Sequence, residues 1–175
     1  VSPDSFRSAA HWLCKDPYTY TNVTIDYDSD GLSYGRETDE MRINMQRFAL
    51  AWLWYHSTLN GEDPWLTCNP PDETQGEDET CEFWTVSVIE LVGTDVELCY
   101  AGVPHIRWLS ETHECSWPGV NCDETTELIA WEIDLLGVGM KGTFPTFLSL
   151  MPGIESLQLT YGAIAGPLPG DMSGF

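Results

Sequence analysis

Between Thr38 and Asn60, apolar side chains recur at Met41, Met45, Phe48, Trp52 and Tyr55, with Ala49 and His56 beside them. That spacing puts one face of a helix against a core. Thr38 suits its N-cap, Asp39 and Glu40 suit its positive end, and Asn60-Gly61 stops it ahead of Pro64. Elsewhere the pattern alternates. Tyr18 to Ile25 reads as a strand, as does Phe83 to Val92; Gly93-Thr94-Asp95 reads as a turn and Val96 to Tyr100 as a returning strand, which together make a hairpin. The stretch from Pro64 to Glu82 is rich in Pro, Asp and Glu and reads as a solvated loop.

A longer period begins at Ile133. Ile133, Leu135, Met140, Gly142, Phe144 and Pro145 return 24 residues later as Leu157, Leu159, Ile164, Gly166, Leu168 and Pro169. That period lies in the window of leucine-rich repeats, in which one short strand and one tight return form each turn of a coil. One turn cannot bury its apolar edge alone. Ile133, Leu135, Met140, Phe144, Leu148 and Met151 are therefore expected to meet Leu157, Leu159, Ile164, Leu168, Met172 and Phe175 in a shared core.

Ahead of the repeats stands Cys115-Ser116-Trp117-Pro118-Gly119-Val120-Asn121-Cys122. Cys-x-Trp-x-Gly-Val-x-Cys followed by these repeats resembles the plant-type extracellular leucine-rich-repeat family, which has a disulfide-bonded N-terminal cap that also begins with an aromatic-rich helix. The resemblance covers roughly residues 38–66 and 106–175. It implies an α/β solenoid: leucine-rich-repeat turns behind an α+β, disulfide-stapled cap. It also implies a Cys115–Cys122 disulfide. Ligand contact is implied on the concave strand positions Glu132, Asp134, Leu136, Ser156, Gln158 and Thr160. One departure is visible, since the Asn that forms a hydrogen-bonded ladder in the family is replaced by Val138 and Gly162. The expected organisation is an arm at 1–37, a cap at 38–126 holding the helix 38–60 and a hairpin near 83–100, and two repeat turns at 127–175.

Composition narrows the partners. With 175 residues, 42% of them hydrophobic, the chain can bury a core, and no apolar run approaches the about 18 residues of a membrane span. Seven Lys plus Arg against 28 Asp plus Glu give a net charge of −21, which repels phosphate backbones and anionic membranes. Neither nucleic acid nor membrane insertion is expected. Six cysteines without a CxxC pair favour an oxidising, extracellular or lumenal compartment. Cys68 with Cys81 is the pairing by proximity and Cys14 with Cys99 the one left over, although many connectivities are open. Asn22-Val23-Thr24 is a glycosylation sequon, in keeping with secretion.

The arm carries a sharper motif. Asp26, Asp28, Asp30, Gly31, Leu32, Tyr34 and Glu37 satisfy D-x-D-x-D-G-x5-E. Three carboxylates, a backbone carbonyl at Leu32, a water at Tyr34 and a bidentate Glu37 would surround one Ca2+. The segment resembles the calcium loop of the EF-hand family without its entry helix, since Tyr18 to Ile25 reads as a strand. Calcium bound here would fix the arm against the cap. The competing reading is an acidic surface turn.

Catalytic signatures are missing from the sequence. Gly137, Gly139 and Gly142 match a dinucleotide fingerprint in spacing, but Phe144-Pro145 breaks the chain where its helix would start. His11, His56, His105 and His113 have no motif partner. The expectation is a non-enzymatic extracellular protein that binds or assembles through its repeats, with a protein partner and a glycan as a further class. Copies of itself could cover the repeat end near Met172 and Phe175 and build a filament or matrix. The rival is a receptor-like ectodomain fragment that recognises a peptide or polysaccharide. A hydrolase stands third.

Overall fold

A computed structural model describes residues 3–16, 34–72, 80–92, 95–123, 129–151 and 153–168, with backbone alone at 34–40, 84–92 and 95–103. Among the described residues, two helices come first. Helix α1, Pro3–Leu13, has proline in its first turn, where its missing N–H costs nothing, and Asp4 at its positive end. Its small residues Ser5 and Ala9 are buried one turn apart, which lets it approach helix α2, Tyr34–Ser57. Phe6 meets Phe48 and Trp52 edge-on at 5.3 and 5.0 Å, and the Trp52 indole donates to Ser5 Oγ at 3.1 Å. Helix α1 lies in a segment for which the sequence pattern predicted no helix.

Helix α2 starts four residues before the expected Thr38. It ends where the Asn60-Gly61 signal predicts: both are left-handed, with φ of 63° and 87°, and Asn60 N–H bonds back to the Tyr55 carbonyl at 2.8 Å. The expected buried stripe is displaced. Met41 and Met45 are exposed, at 61% and 38%, and Phe48, Trp52 and Tyr55 are partly buried. The fully buried residues are Gln46, Arg47, Ala49, Leu50, Ala51 and Leu53. Two neighbours enclose this half of the helix, α1 on one side and the repeats on the other, so polar residues with distant partners occupy its innermost positions. Contact with the repeats is direct. Trp52 stacks on Phe147 at 4.1 Å, and His56 Nε2 lies 3.1 Å from the Thr143 carbonyl.

Strands β1, Thr80–Val92, and β2, Asp95–Ile106, form the antiparallel hairpin, longer at both ends than its sequence pattern suggested and kinked between Val86 and Val88. Cys68 bonds to Cys81 at the foot of β1, with Cα atoms 5.2 Å apart, tying the hairpin to the loop after α2. Beside it Trp65, Trp108, Trp117 and Trp12 make a chain of ring contacts with centroids 4.9, 5.3 and 6.1 Å apart.

The C-terminal half holds two small sheets. Strand β3, Val120–Cys122, runs antiparallel to β4, Ala130–Asp134, and β4 runs parallel to β6, Ser156–Gln158. Strands β5, Lys141–Thr143, and β7, Ala163–Ala165, make a second parallel pair. A short 3-10 helix, Thr146–Leu150, packs Phe147 and Leu148 under α2. Ile133, Leu135, Val138, Met140, Leu148 and Met151 are buried, whereas Leu157, Leu159 and Ile164 are partly buried and Leu168 is 69% exposed. Leu168 therefore leaves the expected shared core. At the departure from the family's Asn ladder, Val138 is buried and its carbonyl accepts from Leu66 N–H at 2.9 Å, which anchors the turn to the cap.

Besides most of the calcium-type loop, three expectations fall on other residues. The Tyr18–Ile25 strand, the Asn22 sequon and the ends near Met172 and Phe175 lie outside the described residues. The pairing of Cys14 with Cys99 does not hold, because Cys14 is an exposed free thiol just past α1; elimination had assumed that all six sulfurs are oxidised.

Candidate functional site

The Cys115–Cys122 disulfide, with Cα atoms 5.6 Å apart, shapes the entry to the three-stranded sheet. His113 caps the 3-10 turn at Glu114–Ser116, its Nδ1 accepting from Cys115 N–H at 3.2 Å. Gly119 follows with φ of 76°. A Cβ there would stand 2.1 Å from the Asp134 carbonyl oxygen, so glycine is needed for β3 to come this close to β4.

Register then aligns polar side chains. Asn121 pairs with Glu132 and Glu132 with Ser156 across the sheet, while Asp134 pairs with Gln158 one step along. Alternation along each strand puts these residues on one face. Glu132 is the hub. Its Oε2 accepts from Asn121 Nδ2 at 2.8 Å, and its Oε1 accepts from Ser156 Oγ at 3.0 Å and Gln158 Nε2 at 2.9 Å. Burial raises the Asp134 pKa, and repulsion from Glu132 adds to the shift. Neither carboxylate has an ion-pair partner among the described residues.

Of the six predicted contact residues, Glu132, Asp134, Ser156 and Gln158 thus share one face, on which Ser156 and Gln158 bond to Glu132. Leu136 is half-buried and Thr160 exposed, outside the hydrogen-bonded cluster, although the Thr160 carbonyl accepts from Gly137 N–H at 2.9 Å. Asn121 is the member that sequence reasoning missed. Its signal was the Val120-Asn121-Cys122 alternation, a strand pattern hidden inside a motif read for its cysteines.

A second polar cluster is buried. Arg47 sits between the rings of Trp12 and Trp117, 5.2 and 5.0 Å from their centroids. Its Nε bonds to Asp16, and Nη1 donates to Glu114 Oε2 at 3.0 Å and to the Thr112 carbonyl at 2.8 Å. Gln46 Nε2 donates to Glu114 Oε1 at 2.8 Å, while Gln46 Oε1 accepts from Ala130 N–H at 2.7 Å. The cluster joins α1, α2, the cap turn and β4.

Of the calcium-loop residues, Asp26, Asp28, Asp30 and Leu32 lie outside the described residues, and Tyr34 and Glu37 are described as backbone in the first turn of α2. Among the described residues, no group of three His, Cys, Asp or Glu could hold a metal ion.

This combination of a bonded strand face and a disulfide-closed cap fits a plant extracellular protein of the leucine-rich-repeat type, and over about a third of its length the chain is similar to plant receptor-like kinases. One is receptor-like protein kinase 5 of Arabidopsis thaliana, 37% identical over 57 residues, which are 33% of this chain and 6% of the relative. Another, from the same plant, is the leucine-rich repeat receptor-like serine/threonine-protein kinase At1g17230, 27% identical over 63 residues, 36% of this chain and 6% of that protein. The chain thus spans a small fraction of the length of these relatives. No family model and no solved structure matches it. Two disulfides and the receptor likeness point to an extracellular or otherwise oxidising environment, and no described helix is long and apolar enough to cross a membrane.

Proposed function

We propose that the chain is the cap and first turns of an extracellular leucine-rich-repeat recognition module, without catalytic activity of its own, whose β3–β4–β6 face binds a basic segment of a protein partner. The observation that carries this reading is the parallel pairing of β4 with β6 at an offset of 24 residues, the period of the sequence repeat. That pairing aligns Glu132 and Asp134 with Ser156 and Gln158. Two carboxylates without a cation among the described residues, on a chain of net charge −21, favour Lys or Arg on the partner. Likeness to receptor-like kinases supports recognition over self-assembly.

A photocrosslinking residue at Thr160, on the full chain in extracellular fluid, tests it. A saturable crosslink is expected, lost on Glu132→Lys with Asp134→Lys while the melting temperature is kept. Equal crosslinking from a control position at Ser149, or indifference to the charge reversal, would sink the reading.

Calcium at Asp26, Asp28, Asp30, Leu32, Tyr34 and Glu37 belongs to the same proposal. Its support is the twelve-residue motif, together with the start of α2 at Tyr34, which sets Glu37 in the first turn of the helix. An ion bound to the folded chain alone must raise its melting temperature. A scan with millimolar calcium that matches one with chelator would rule this part out.

A further inference from the structure

Strand β4 opens with Ala130, fully buried, and then Trp131, which keeps 39% of its surface exposed. An exposed indole on a flat surface needs no explanation, but this one lines a concavity. Together with the Cys115–Cys122 disulfide, His113, Ser116, Asn121 and Asp123, it bounds an open groove of about 670 Å3. That volume is in the range of ligand sites, about 300 to 1,000 Å3.

We propose that this groove binds a neutral carbohydrate segment. A pyranose ring has a C–H face that packs on an aromatic plane and a rim of hydroxyls that both donate and accept. The groove offers one indole, the Ser116 hydroxyl, the exposed Asn121 amide and the Asp123 carboxylate, with His113 as part of the wall. Its wall is pre-built, because the disulfide and the bond from Cys115 N–H to His113 hold the turn before any ligand arrives.

Charge selects among glycans. Among the described residues no Lys or Arg lines the groove, Asp123 contributes a negative charge, and the chain carries −21, so phosphorylated, sulfated or uronic-acid sugars are repelled. A peptide anchor would need a deep apolar pocket, whereas here the groove is open and its exposed apolar surface is one indole, beside the disulfide and the largely buried Val120. Asn121 joins the groove to the polar sheet face through its bond to Glu132. The two sites are neighbours that take different chemistries.

The test is calorimetric titration of the full, disulfide-intact chain with cellohexaose, mannohexaose and chitohexaose, with a galacturonic-acid hexamer as the anionic arm and a lysine-rich peptide as the peptide arm. At least one neutral hexasaccharide should bind saturably below about 1 mM. Trp131→Ala and Ser116→Trp, the second of which fills the groove, should each weaken that binding about tenfold or more with the melting midpoint unchanged. Asp134→Asn, at a residue outside the groove lining, should leave sugar binding intact while it weakens the lysine-rich peptide, which separates this site from the sheet face. Should Trp131→Ala fail to fold, Ser116→Trp decides alone. No saturable neutral sugar at millimolar concentration, tighter binding of the galacturonic-acid hexamer, competition of the peptide with the sugar, or indifference to the folded variants would each overturn the proposal.

Discussion

Glu114 and Glu132 are both carboxylates with donors on each oxygen, and the molecule uses them in opposite ways. Glu114 is fully buried, takes its bonds from Gln46 and Arg47, and shares the Arg47 charge with Asp16. Glu132 is half-exposed, takes its bonds from Asn121, Ser156 and Gln158, and has Asp134 as its charged neighbour. Burial with a countercharge builds architecture. Partial exposure without one leaves a charge that an incoming cation can still compensate.

Removing the buried cation should have the largest effect. Arg47→Ala leaves Asp16 and Glu114 facing each other's negative charge without solvent, and breaking a buried pair in this way costs about 3–5 kcal/mol. Urea unfolding should show it, against a loss of under about 1 kcal/mol for Glu132→Gln, whose neighbours can turn to water. Comparable losses at the two sites would end the distinction between them.

Next in size are the cystines. Cys115→Ser with Cys122→Ser releases a loop closed over a separation of 7 residues and should cost about 2–3 kcal/mol by chain entropy. Because that loop carries the start of β3, the loss should also loosen Asn121 from Glu132. Faster amide exchange in β3 and β4 than in α2 would record it, and uniform exchange would count against a local role.

A smaller effect depends on pH. His56 joins the end of α2 to β5 through the Thr143 carbonyl, and burial lowers its pKa despite that bond. The folded chain therefore holds His56 neutral, while the unfolded chain takes up a proton near its ordinary pKa of about 6.5. Stability should be complete above that value and fall as pH drops through it toward the lowered folded pKa. His56→Gln should flatten this part of the pH profile, from about 6.5 downward.

What the sequence revealed follows the range of the interactions. Helix α2, the hairpin, the 24-residue repeat and the Cys68–Cys81 pairing each leave a signal within a few turns or one loop, and all were legible; Cys115–Cys122 came from the family motif. Arg47 was not, because its partners stand 31 to 67 positions away and a buried Arg breaks the apolar rule by which a core is recognised. Helix α1 escaped for a related reason: its buried face is made of Ser5 and Ala9, small residues that carry little hydrophobic signal. Asn121 meets Glu132 only through strand register, which no local pattern encodes. Glu132, Asp134, Ser156 and Gln158, placed on one face by the family resemblance, do lie across from one another because the 24-residue repeat sets the register of β4 with β6.

The smallest expected effect probes the sheet face most directly. Asp134 has a raised pKa, from burial first and from Glu132 second, so the folded state binds a proton more readily than the unfolded one. Its charged form therefore costs stability once pH rises above the folded pKa, and that cost disappears as pH falls through the folded value toward the ordinary one, near 3.8. Asp134→Asn should stabilise the chain at neutral pH by about 0.5 kcal/mol, a modest gain because solvent screens a half-exposed pair. The same substitution removes one of the two charges offered to a basic partner, so it should weaken that partner while it strengthens the fold. Melting and crosslinking on one variant should move in opposite directions, as expected of a face kept under strain for binding. If both fall together, Asp134 belongs with Glu114 as architecture, and the contrast between the two clusters fails at this residue.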